Sequence, residues 1–387
     1  MWDKIINDIR HNVRYANSVE SLFKSVLRQM KIKIALLLTL CSLTSCEVKE
    51  HKVLGLDEIR YVESFPAQGS LNEISHFKCD AIGCQSVKVI DSLLIVGHSS
   101  NWSIYSTDGR KCYGTCLSVG QGPSEFRYVP RCAAACFVTE NDSTVAYVAD
   151  ESKGRIMRFN LSGFIDNGAV ENYPVIKSKA LSSRTWDVTP CDSSSFLISQ
   201  PNDDMTGFIR LIYENGIVRP IEATKDISFA TVESSENINL LARVTRYNPQ
   251  SGKFVEAMSY LNQINVFDKD NDNGITICHG KELDDLAQIE SRPMPERMNA
   301  YISVSAFKQG FGAVYLGASE ADVYYGKVKD TRIQFFDWSG TPVYEAIIPF
   351  SVLAYDIDFD NKILYAINES EDKIVAFDAS PIVGEYK

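Results

Sequence analysis

Histidine, clustered basic residues and long apolar runs are all scarce in this sequence, and each shortage removes a class of function. The five histidines, His11, His51, His76, His98 and His279, are widely scattered. They form no His-x-x-x-His pair and no visible Ser-His-Asp set, although a triad need not be close in sequence. Lys and Arg number 39 against 50 Asp and Glu, for a formal charge of −11, and no dense basic block occurs. Neutralising phosphates requires clustered cations, so nucleic acid is not an expected partner. No apolar run reaches the roughly 20 residues needed to span a bilayer. None of the ten cysteines has the C-x-x-C spacing of zinc and redox sites. With 45% hydrophobic residues over 387 positions, the chain can still bury a substantial core and is not intrinsically disordered.

The most apolar stretch near the N-terminus, Ile32 to Leu43, follows Lys31 and Lys33 and ends in Leu43-Thr44-Ser45-Cys46. A basic segment, a short apolar segment and small residues before a cleavage point make a signal peptide. The spacing resembles a bacterial lipobox, which implies cleavage before Cys46 and acylation of its thiol and new amino group. Residues 30–45 are then the signal, 1–29 an over-extended start and 46–57 a tether. Residues 1–45 carry seven basic and three acidic side chains, so the mature chain is more acidic still. It would meet anionic lipid through its anchor only. Glu47 and Glu50 loosely resemble the acidic tether of surface-exported lipoproteins. The expected location is the bacterial envelope, at the outer membrane on its periplasmic or outer face.

A short β-rich run, a polar turn and a strand of the type Arg-Ile-x-x-Phe-Asp recur six times, starting at Leu93, Val145, Phe196, Phe254, Ala313 and Ile363. Taking Gly109, Gly163, Gly216, Asn271, Gly340 and Pro381 as equivalent gives spacings of 54, 53, 55, 69 and 41, with an extra segment around Lys281 to Arg297. An alternating run precedes most copies, as at Ser86, Ala134, Trp186, Tyr301 and Ala354, and another follows most. Four strands per unit at this period predict an all-β, six-bladed β-propeller of antiparallel blades over residues 58–380, with a tail at 381–387. The tail, with Pro381 and Gly384, is a poor strand. Glu58 to Phe65 is therefore expected to supply the outer strand of the sixth blade, beside Lys373 to Asp378, so that deleting 47–65 costs more stability than deleting 381–387.

Over roughly Glu58 to Asp378 the chain resembles the TolB-like six-bladed propeller lipoproteins of bacteria, related in pattern to NHL-type propellers. The most specific match is Gly120-Gln-Gly-Pro-Ser-Glu-Phe126, similar to a G-x-G-P-G-E-F segment, with Ser124 in place of the third Gly. The resemblance implies fold and location but no agreed reaction. The segment lacks the Lys-Ser/Thr of a phosphate loop and reads as a structural turn. As a connection between blades it would bring Gln121, Glu125, Arg127 and Arg131 towards the channel mouth.

Asp268 to Gly274 carries carboxylates at alternate positions but fails the Ca²⁺-loop template, with Gly one place late and His279 where a bidentate Glu belongs. A hairpin turn is the expectation. Cys132 and Cys136, placed in one inner strand, stand too far apart to bridge. Cys112 with Cys116, and Cys79 with Cys84, each surround a Gly and close only if the chain turns there. No cofactor and no metal is expected.

Two functions compete. The first is a non-enzymatic binding or scaffolding lipoprotein that meets a protein, peptide or glycan at the channel mouth through Gln121, Glu125, Arg127, Arg131, Trp186, Arg243, Tyr301 and Tyr355. Aromatic residues and Arg are the types enriched at binding hot spots. The alternative is a metal-dependent hydrolase resembling lactonase-type propellers, for which the inner strands offer only Asp187, Asp356 and Asp358.

Overall fold

A computed structural model describes residues 54–77, 83–181 and 185–386. The expected signal peptide, Cys46 and Cys79 lie outside them. Six sheets each contain four antiparallel strands, which run from an inner to an outer position along the chain in the first five blades. Blade 1 comprises Cys84–Ile90, Leu93–His98, Trp102–Ser106 and Cys112–Cys116, and blade 2 runs from Cys136–Glu140 to Asn172–Lys177. Blade 3 spans Asp187–Pro190 to Ile217–Pro220, and blade 4 spans Arg243–Asn248 to Gly274–His279. Blade 5 extends from Met298–Ala306 to Pro342–Ile348, and blade 6 begins with Val352–Asp358. The extra segment after blade 4 folds as the short helix Leu286–Ser291 and a 3₁₀ turn at Met294–Glu296.

Both faces of a blade are covered by its neighbours, so the second and third strands are buried on both sides, as in Lys253–Met258 and Gln263–Asp268. That is why they read as nearly continuous apolar runs. The core is accordingly divided into clusters between blades. Trp102, Phe126, Phe137 and Phe159 pack between blades 1 and 2, whereas Tyr365, Ile374, Leu94 and Val96 join blade 6 to blade 1.

The ring is closed by an N-terminal strand, but not by the expected one. Glu73–Phe77 lies antiparallel to Lys373–Asp378, with Ile374 opposite Phe77 and Ala376 opposite Ser75. Glu58–Val62 instead adds a fifth strand to blade 4, parallel to Gly274–His279, and Gln68–Ser70 does the same on blade 5. The reason is chain length. The outer strand of one blade leads directly into the inner strand of the next, and Glu73–Phe77 is the segment just ahead of Cys84–Ile90. Ahead of it the chain runs along the rim, held at each blade by an apolar side chain: Leu56 against Phe254 and Phe267, Val62 beside Ile264, and Leu71 beside Ile348. The C-terminal tail is also engaged. Ser380–Glu385 is a short helix with Ile382 wholly buried, and the Tyr386 hydroxyl donates to the Phe336 carbonyl at 3.1 Å.

Cys132 opens a 3₁₀ turn, Cys132–Ala134, ahead of the inner strand and does not lie within it. Cys112, Cys116, Cys132, Cys136, Cys191 and Cys278 are free thiols. Asp268 makes the anticipated turn, its carboxylate accepting from the Asp270 and Asn271 amides at 3.0 and 2.6 Å.

Candidate binding cavity at one mouth of the ring

Strand polarity places two cavities at opposite ends of the central channel. One, of 290 Å³, lies at the C-terminal ends of the inner strands and is lined by Lys88, Arg246, Lys308 and Asp358 among others. There Asp356, fully buried, pairs with Lys88 at 3.1 Å and accepts from the Val89 amide at 2.7 Å. Burial raises its pKa despite Lys88. The other cavity, of 560 Å³, lies at the N-terminal ends of the inner strands of blades 2, 3 and 4. Its wall includes Tyr128, Arg131, Glu151, Trp186, Asp187, Arg243 and Arg246. Asp187 therefore belongs to one mouth, and Asp356 and Asp358 to the other.

Several wall residues of the larger cavity have an identifiable support. The connection carrying Tyr128 and Arg131 is fixed where the Trp102 indole donates to the Pro130 carbonyl at 2.7 Å. The Trp186 amide bonds the Ser199 carbonyl at 2.8 Å, and its ring packs edge-on against Phe208 with centroids 5.1 Å apart. The Arg243 guanidinium lies 4.3 Å from the centre of the same Phe208 ring. Behind it stands a buried ion cluster. Glu256 accepts from Arg210 Nε and Nη2 at 2.8 and 2.7 Å, and Arg243 Nε stands 3.1 Å from its second oxygen. Burial alone would raise the Glu256 carboxyl, but Arg210 and Arg243 outweigh it and hold it below its usual value.

Electrostatics in this cavity are mixed. Burial pushes Arg243 and Arg246 down to about 10, which leaves both charged at neutral pH. Arg131 adds repulsion to Arg246, and Asp187 opposes it. Asp187 is itself raised by desolvation, against the pull of Arg243 and Arg246. Glu151 is raised to about 7 by desolvation and then by Asp187 and Asp150, although the residue remains exposed at the rim. Asp150 is committed to Arg155, 2.9 Å away. Trp186 and Tyr128, 40% and 72% exposed, stand at the mouth.

Of the anticipated site residues, the fold brings Arg131, Trp186 and Arg243 together in this cavity. Gln121, Glu125 and Arg127 do not line it. Glu125 turns inward within its own loop, accepting from the Gly122 amide at 2.6 Å, and a Cβ on Gly120 would fall 1.9 Å from a Glu125 oxygen. The loop is tied to blade 2 by Arg155, which donates to the carbonyls of Pro123 and Glu125 at 2.5 and 3.0 Å. Gly120 to Phe126 is thus a packed turn, with Phe126 wholly buried as its plug. Arg127 lies 5.6 Å from the centre of the exposed Tyr128 ring. Tyr301 and Tyr355 are corrections: both are fully buried between blades, away from the mouth. The Tyr301 hydroxyl donates to Gln334 at 3.0 Å, and Tyr355 packs edge-on against Phe335. Their large apolar rings lie in the inter-blade clusters. Arg246, Glu151 and Tyr128 were not anticipated. The Arg243-Val-Thr-Arg246 run, two cations within one β-rich segment, was the signal for the first.

No family model matches the chain, and no curated protein does. Among solved structures it is similar to a member of the DUF4221 family from Bacteroides vulgatus, with 12% identity, a TM-score of 0.47 and coverage of 81% of this chain and 97% of that one. A putative exported protein from Bacteroides fragilis gives 9%, 0.45, and 83% and 98% coverage. An auxiliary nutrient binding protein from Bacteroides thetaiotaomicron gives 9%, 0.45, and 76% and 68%. Likenesses at this level speak to neither ligand nor activity.

Proposed function

We propose that the protein is a non-enzymatic binding module of the bacterial envelope, lipid-anchored through Cys46, that receives its ligand in the 560 Å³ cavity over blades 2, 3 and 4. One observation carries this reading: a concave wall of arginines and carboxylates opens between two exposed aromatic rings, Trp186 and Tyr128. A few convergent polar groups framed by apolar surface are the usual make-up of a ligand site. Aromatic residues with a buried Arg are the usual anchors. The resemblance of Gly120 to Phe126 to the TolB-like lipoprotein propellers supports the envelope location, as do the basic, apolar and small-residue segments ending at Cys46.

Titrating the purified protein with glycans and peptides, beside its Trp186→Ala variant, tests the proposal. Trp186 is partly exposed at the rim, so its truncation is expected to leave the ring folded and to weaken binding at least tenfold. Binding that survives the truncation unchanged would place the site elsewhere.

A further inference from the structure

Four arginines are buried among the described residues: Arg155, Arg210, Arg243 and Arg246. Three have a carboxylate within ion-pair distance, namely Asp150 at 2.9 Å, Glu256 at 2.7 Å and Glu256 at 3.1 Å respectively. Arg246 has none. It is 9% exposed, its Nη1 donates to the Thr245 carbonyl at 2.7 Å, and its buried Nε makes no hydrogen bond. A buried guanidinium without a carboxylate in ion-pair contact keeps its desolvation cost largely uncompensated. In a chain with 50 acidic residues against 39 basic ones, a partner was available in composition. Arg246 also lines both cavities and so stands where they approach along the axis. Arg131, on the wall of the larger cavity, likewise has no ion pair among the described residues and repels Arg246. The fold thus turns two cations without an ion pair, Arg246 buried and Arg131 exposed, towards one cavity.

We propose that the larger cavity seats the carboxylate of a sugar acid, a pyranose bearing a uronate group, between Arg246 and Arg131. The proposal rests on the binding reading above and names its ligand class. A carboxylate is a single negative charge whose two oxygens suit guanidinium donors. A phosphate dianion would meet Asp187 and Glu151 on the same wall, and these carboxylates repel a second negative charge. They suit hydroxyl groups instead, which donate to carboxylate oxygens. Trp186 and Tyr128 at the rim offer flat apolar faces with polar edges, matching the apolar face of a pyranose ring. A uronic acid uses all three features at once, whereas a neutral sugar leaves Arg246 unpaired and a bare carboxylate leaves the aromatic rim unused.

The test is a ligand-observed NMR titration of the full chain with methyl glycosides of glucuronic, galacturonic and mannuronic acid. Each is paired with the neutral hexoside of the same configuration. Inorganic phosphate and a tripeptide with free or amidated C-terminus complete the set. At least one uronide is expected to bind ten-fold or more tightly than its neutral parent. Arg246→Gln should abolish that preference and Arg131→Gln reduce it several-fold, with melting curves confirming the fold. Should Arg246→Gln not fold, Arg131→Gln and a loss of preference in high salt carry the test. Equal binding of uronide and neutral sugar, lost in Trp186→Ala, overturns the carboxylate seat but leaves the binding module standing. Preference for the free peptide terminus or for phosphate overturns the sugar acid, and no binding in any arm overturns both.

Discussion

Replacing Glu256 by Gln should destabilise the ring more than any other single isosteric change near the cavity. Glu256 is wholly buried and is the shared counter-ion of Arg210 and Arg243. Gln retains the shape and one acceptor oxygen but leaves two buried guanidinium groups without a negative charge. Breaking a buried ion pair from one side costs roughly 3–5 kcal/mol, because the remaining charge stays desolvated. Unfolding entropy of about 2.1 cal/mol/K per residue, taken over a ring of about 330 residues, gives roughly 0.7 kcal/mol/K, so the melting temperature should fall by about 4–7 °C. Differential scanning calorimetry at pH 7 measures this. The acid side supplies an internal control. The two arginines hold the Glu256 carboxyl below its usual value. Its contribution is therefore present above the unfolded carboxylate pKa of about 4.3 and is lost as pH falls through the depressed folded value. The gap between parent and variant should narrow in that direction. A melting temperature within 1 °C of the parent at pH 7 would refute the cluster's structural role.

Deleting residues up to 71 removes both rim strands but keeps Glu73–Phe77, so the ring should stay closed with a lowered melting temperature. Deleting up to 77 opens blade 6 and should abolish cooperative unfolding, whereas equal tolerance of both truncations would contradict the closure. Glu151 is raised to about 7, so the folded parent keeps a proton that the unfolded chain releases, and parent stability falls as pH rises from about 4.5 to 7. Glu151→Gln, facing Asp150 and Asp187, should thus gain in melting temperature over the parent across that window and hold the gain above it. A pH-independent difference would argue against the shift. Cys46→Ala should release the protein from membranes without changing its melting curve, since acyl chains contribute roughly 0.8 kcal/mol per buried CH₂ to anchoring and nothing to the core. Unchanged partition on membrane fractionation would contradict the anchor.

The blades were legible because their second and third strands repeat as apolar runs with turn residues at a regular spacing, and the structure places second strands at or within a few residues of the starts read from sequence. Ring closure was misassigned for a physical reason. Glu58–Val62 and Glu73–Phe77 both favour strands, and propensity does not say which edge a strand joins. The length of the link to Cys84 does. Tyr301 and Tyr355 failed as mouth residues because alternation in an inner strand does not distinguish a side chain facing the axis from one facing the neighbouring blade. Arg246 passed unnoticed for a related reason: its significance is that no carboxylate lies within ion-pair distance of it in space, and no spacing along the chain encodes that.

The central claim, that the ligand enters over blades 2, 3 and 4, is tested most directly by comparing two rim variants at opposite mouths. Trp186 lines the larger cavity, and the exposed Lys308 lines the smaller one. With affinities for one bound glycan measured by isothermal titration, Trp186→Ala should bind at least tenfold more weakly and Lys308→Ala should match the parent. Loss of binding in Lys308→Ala with full retention in Trp186→Ala would contradict the account.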